Sequence, residues 1–127
     1  MTQTGLTVVG RIATDPTFRR TGDGTSVVNF RVASSQRRFD KEKDEWVDGD
    51  TLFLPVNCWA RLADSVHGAL RKGDPVVVHG RLYTRDWQQE GQPRSTVEMR
   101  AYAIGPDLSK CSVHLVRDAG KEFAVAA

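Results

Sequence analysis

The chain has 127 residues, a formal net charge of +2, 39% hydrophobic residues and 27% charged residues. That length fits one domain with its own core, and the composition excludes a disordered chain. No apolar run approaches the ~20 residues a membrane helix needs. The N-terminal stretch MTQTGLTVVGRIA lacks the pattern of a secretory signal. Cys58 and Cys111 make neither a disulfide framework nor a metal-ligand pair. A cytoplasmic protein with no membrane contact and no cofactor is therefore expected.

Taken in chain order, short β-branched runs alternate with turn-rich stretches. A first strand is predicted over Leu6 to Ala13, with Gly10 as a bend. Asp15-Pro16 and Gly22-Asp23-Gly24 place turns between residues 14 and 25. A second strand follows over Ser26 to Ser35, then a charged loop at 40–50, then a third strand over Thr51 to Ala60. From Arg61 to Lys72 the period changes. Leu62, Val66 and Leu70 recur at four-residue spacing, predicting a short helix that stops at Gly73 and whose stripe closes one end of the core. A fourth strand runs from Val76 to Trp87, a hairpin loop covers 88–94, and a fifth strand spans Ser95 to Ile104. Cys111 to Arg117 reads as one more short strand, and residues 118–127 as a flexible tail. Three strands, a helix and two strands fit an all-β, five-stranded OB-fold barrel with its helix between strands three and four.

Charge is unevenly spread. Residues 40–50 hold two lysines against six acids, so the rest of the chain carries +6, and 13 of the 18 cations are arginine. A preference for arginine can reflect genome composition alone, so its placement must carry the argument. Successive side chains of a strand point to opposite faces. In the third strand Leu52, Leu54, Val56 and Cys58 form an apolar face, with Cys58 read as a buried thiol. Phe53, Asn57 and Trp59 point the other way. In the fourth strand Val76, Val78, Gly80 and Leu82 face the core, while His79, Arg81, Tyr83, Arg85 and Trp87 face out. In the second strand Arg31 and Asn29 face away from Val28, Phe30 and Val32.

Aromatics on an outer face could serve an oligomer interface, lie beneath a loop, or stack planar ligands. Interleaved arginines are costly in a dry interface. Rings for bases beside cations for phosphates suit a single-stranded nucleic acid. No histidine, cysteine or carboxylate pair has catalytic or metal spacing, and no phosphate-binding loop motif occurs, so an enzyme is not expected.

The segments VVGRIATDPTFR, VVNFRVASSQRRF, FLPVNCWARLAD, LRKGDPVVVHGRLYTRDW and STVEMRA resemble the bacterial single-stranded DNA-binding protein family (SSB), over about Leu6 to Ile104. The resemblance implies a non-enzymatic protein that coats and protects single-stranded DNA in replication, recombination or repair. Bases would stack on Phe39, Phe53, Trp59 and Trp87, with Tyr83 on the same face. Arg31, Arg81 and Arg85 would meet phosphates, and Arg37 and Arg38 would lie near the charged loop. It also implies a homotetramer. Residues 1–105 would form the DNA-binding domain, and 106–117 resemble the actinobacterial extension in which an added strand clamps a neighbouring subunit. Family members usually end in a Gly/Pro-rich linker and an acidic tip that recruits other proteins. The last residues here, KEFAVAA, have no such tip, so recruitment by that route is not expected. An RNA-binding or primosome-type OB module, or a regulatory SSB paralogue acting through protein contacts, stays open.

Overall fold

A computed structural model describes residues 2–117. It contains β1 (Thr4–Ile12), β2 (Thr17–Arg20), β3 (Ser26–Asp40), β4 (Glu45–Trp59), α1 (Ala60–Val66), β5 (Pro75–Gln89) and β6 (Gln92–Pro106). The strand order is β1-β5-β6-β4-β3-β2, and a further pairing of β1 with β3 through Arg11↔Ala33 and Ile12↔Val32 returns the order on itself. Five strands thus form a closed cycle of pairings, with β2 at the outside of β3. All these pairings are antiparallel except β4 with β6, which run parallel at Val56↔Met99 and Asn57↔Arg100.

The interior is narrow and filled mainly by valine. Val8, Val28, Val32, Val56, Val76 and Val78 are buried together with Ile12, Phe30, Leu54, Cys58 and Met99. Ala63 and Val66 of α1 cover one end, with Leu62 and Leu70 packed against them. Two glycines allow backbones to approach where the ring is tightest. A Cβ on Gly10 would lie 2.3 Å from the Ala33 carbonyl oxygen, where β1 turns from β5 to β3. A Cβ on Gly80 would lie 2.1 Å from the Arg100 carbonyl oxygen, at the register shift between His79 and Gly80.

The expected strand–helix–strand order is present, with several corrections. Residues 17–20, assigned to turns, form β2 because Thr17 to Arg20 pair with Asn29 to Ser26. The charged segment 40–50 is mostly strand. Arg37 faces Asp48 and Phe39 faces Trp46 across the β3–β4 hairpin, an opposite-charge pair and an aromatic pair that carry the ladder out to Asp40↔Glu45. The second hairpin likewise extends, through Gln89↔Gln92, to a two-residue turn at Glu90-Gly91, both with positive φ.

The helix ends at Val66 rather than Lys72. The Val66 carbonyl accepts from the amides of Ala69 and Leu70, and Gly68 at φ 89° turns the chain away. Leu52 is 51% exposed, not a core residue, because the β3–β4 hairpin has left the ring at that height. Residues 107–117 carry no strand. The chain turns just after β6, with the Lys110 amide donating to the Asp107 carbonyl at 3.0 Å and the Cys111 thiol to the same carbonyl at 3.3 Å, so the segment does not run on as a strand. The predicted tail at 118–127 lies outside the described residues.

Replacing Gly80 by Ala forces the Arg100 backbone to move, and overpacking of this kind costs about 1–3 kcal/mol. Chemical denaturation of G80A is expected to show that loss with an unchanged m-value.

Candidate nucleic-acid interface

Parity sets the interface. Because successive side chains of a strand alternate between faces and one parity fills the core, the large rings on β4 and β5 are left on the outer face. Phe53 is 50% exposed, and Trp59, Tyr83 and Trp87 are half-buried along the same side. Each ring carries a guanidinium. Arg31 lies 5.0 Å from the Phe53 centroid, Arg81 5.4 Å from Tyr83 and Arg85 5.9 Å from Trp87. Arg100, on β6, lies 5.6 Å from Trp59. These are cation–π distances, and the stacking holds the long arginine stems flat beside the rings.

Arg31, Trp59, Tyr83 and Arg85 converge on an open groove of ≈ 640 Å³ that Asn29, Asn57 and Glu98 also line. The floor is a polar network. Asn57 sits at its centre, accepting from Asn29 and donating to the Tyr83 hydroxyl and, at 3.0 Å, to Glu98 Oε1. The Tyr83 hydroxyl also donates to Glu98 Oε1 at 3.2 Å. Glu98 Oε2 accepts from Arg85 Nη1 at 3.4 Å and from the Thr96 hydroxyl at 3.3 Å. Burial of Glu98 pushes its pKa up, but the bonds from Asn57 and Tyr83 and the Arg85 charge outweigh that, and the net value falls below 4.5. Tyr83 is raised, first by burial and then by the Glu98 charge, so its phenol stays neutral as a donor. Burial pushes the Cys58 thiol up to about 12, which leaves it protonated in the core as its strand position suggested.

The remaining predicted residues stand apart from this groove. Phe53 lines a neighbouring hollow with Leu52, Leu82 and Val97. Trp87 lines another with Pro93 and Arg94, where its buried indole N–H has no partner among the described residues. Phe39 lies on the β3–β4 hairpin, edge-on to Trp46 at 5.6 Å. Arg37 is tied to that hairpin by Asp48 at 3.8 Å and by the Trp46 carbonyl at 3.2 Å. Arg38 is exposed on the same strand, opposite Val47.

Sequence reasoning passed over Trp46, Glu98 and Arg100 as site residues. Trp46 was hidden within an acidic run, though its place opposite Phe39 follows once the hairpin is extended. Glu98 and Arg100 flank Met99 and share the outward parity of their strand, a signal that strand alternation alone could have supplied. Among the described residues no group of three His, Cys, Asp or Glu could hold a metal, and no helix is long and apolar enough to cross a membrane.

A closed five-strand cycle with its helix between β4 and β5, and rings and arginines on the outer face, is the OB-fold of single-strand binding proteins. The chain belongs to the Single-strand binding protein family, whose model matches residues 4–106. It is 43% identical over 126 residues to the single-stranded DNA-binding protein 1 of Streptomyces coelicolor, covering 99% of this chain and 80% of that protein. It is 45% identical to the single-stranded DNA-binding protein of Corynebacterium glutamicum, covering 84% of this chain and 48% of the relative. Several of the curated relatives are longer still than this chain, which spans 63% to 65% of four others.

Among solved structures, the small single-stranded DNA-binding protein of Streptomyces coelicolor superposes with a TM-score of 0.76 at 41% identity, covering 87% of this chain and all of that one. A Plasmodium falciparum SSB in complex with single-stranded DNA superposes with a TM-score of 0.66 at 25% identity, covering 79% and 87% of the two chains.

The lowered pKa of Glu98 gives an acid-dependent stability. The unfolded chain binds a proton that the native chain releases between the two pKa values, so stability rises with pH across that window. The carboxylate's contribution is complete above about 4.5 and is lost as pH falls through the lower native value. Denaturation midpoints measured from pH 6 down to pH 3 are expected to fall less steeply for E98Q than for the parent protein.

Proposed function

We propose that this protein binds single-stranded DNA with little sequence preference, coating and protecting it during replication, recombination or repair, and catalyses no reaction. The observation that carries this reading is the row of four outer-face rings, Phe53, Trp59, Tyr83 and Trp87, each with a guanidinium within 6 Å. Stacking needs only the π-face that every base has, and guanidinium groups meet the phosphate that every nucleotide has, so the platform is indifferent to sequence. Phe53, Trp59 and Trp87 are the stacking residues on the ring, with Phe39 on the hairpin. Tyr83, whose hydroxyl is held by Asn57 and Glu98, sets the floor of the groove. Arg31, Arg81 and Arg85 act as phosphate contacts beside the rings, and Arg37 and Arg38 extend the cationic path along β3. The Plasmodium relative's complex with single-stranded DNA supports the same use of the fold.

The assembly is proposed to be a homotetramer in the cytoplasm. Leu6 and Val9 on β1 and Tyr102 on β6 are large apolar groups left exposed, and so are Leu108, Val113, Leu115 and Val116 beyond β6. Exposed apolar surface of that extent suits subunit contacts. Residues 106–117 are proposed to add a strand to a neighbouring subunit, which would cover the exposed Leu108, Val113, Leu115 and Val116.

Adding oligo-dT at low salt is expected to quench tryptophan fluorescence, and F53A and W87A should each weaken binding by roughly 1–3 kcal/mol while remaining folded. An unchanged fluorescence in the parent protein would sink the reading. Light scattering is expected to give the mass of four chains without oligo-dT, and that mass plus the bound oligonucleotide with it.

A further inference from the structure

On β5 and β6, Arg81 and Arg100 are direct cross-strand partners. Like charges in that position repel, and an ordinary sheet surface would set an acid between them. Among the described residues neither arginine has an acidic partner. The acid nearest in sequence on the same face is Glu98, two residues from Arg100, and its oxygens are already taken by Asn57, Tyr83, Thr96 and Arg85. Each guanidinium is instead propped on a ring, Arg81 on Tyr83 at 5.4 Å and Arg100 on Trp59 at 5.6 Å. The backbone beneath them is fixed as well, because Gly80 lets β5 press against the Arg100 carbonyl.

From this pairing we infer that Arg81 and Arg100 together form a clamp for one phosphodiester, set at a fixed offset from the base stacked on Trp59. Arg100 is the residue added to the site. The inference rests on the reading of this face as a single-strand platform. Two adjacent cations without a counter-ion are relieved by one shared anion, and two planar forks can address its oxygens from either side. A backbone phosphate follows every stacked base, so the clamp fixes the path of the strand across β5 and β6 without reading its sequence. Arg31 and Arg85 differ in kind, since Arg85 already bonds Glu98 and Arg31 lies across Pro55 on another pair of strands.

The test is a salt titration of oligo-dT binding to the full chain carrying R81Q, R100Q or both. Losing one phosphate contact on a single strand lowers the log–log salt slope by about 0.7. The double variant is expected to show that drop, while R100Q alone leaves Arg81 on the phosphate, keeps most of the parent slope and binds about tenfold more weakly at low salt, the lower range for a charge-assisted hydrogen bond. If one phosphate is shared, the double variant loses less affinity than the product of the two single losses. R100K keeps the charge without the fork, and is expected to retain the parent slope with reduced affinity; it stands in as the probe if R100Q does not fold. A parent-like slope in the double variant, or losses that multiply, overturns the clamp while oligo-dT binding by the parent protein leaves the platform intact. Absence of binding by the parent removes the platform and the clamp with it.

Discussion

The narrowness of the closed strand cycle governs everything else in this molecule. Closing five strands so tightly requires backbone against backbone at Gly10 and Gly80, where even a methyl group would collide with a carbonyl oxygen. The space that remains inside is already filled by the inward-facing valines with Ile12, Phe30, Leu54, Cys58 and Met99. Tryptophan and phenylalanine on the opposite parity of β4 and β5 therefore have no place within the ring. The outer face inherits them as a consequence of packing, and a surface for planar ligands arises from the same geometry that stabilises the fold.

An outer face built from rings and arginines would collapse onto itself or scatter without further restraint. Here the restraint is a buried carboxylate. Glu98 gathers Asn57, Tyr83, Thr96 and Arg85, and each bond it accepts offsets the cost of burying its charge. The acid reduces the local positive potential, yet it fixes the groove floor and leaves Arg31, Arg81 and Arg100 to define the cationic path. Order on this surface is purchased with one negative charge, placed beneath the rings where its oxygens are occupied.

The β3–β4 hairpin is organised differently. It stands away from the core and is held by its own cross-strand pairs, Arg37 with Asp48 and Phe39 with Trp46. An element supported only by pairing and surface contacts opens more easily than a core strand. Its aromatic pair is thus carried on an arm beside the groove, whereas Trp59 and Tyr83 are carried on the ring itself.

Alternation of small apolar and large or charged residues was readable in the chain, and it determined which residues of β3, β4 and β5 face the core and which face out. That rule depends only on the two-residue period of a strand, so Val76, Val78, Arg81 and Trp59 could be assigned without coordinates. Local period could not reveal where the hairpin leaves the ring, so Leu52 was misplaced, nor that Gly68 stops the helix ahead of Leu70. Only the tertiary structure decided which outward residues meet. Arg100 reaches Trp59, and Glu98 reaches Asn57, across strands distant in sequence, because the parallel register between β4 and β6 is set by closure of the whole ring and not by any one segment.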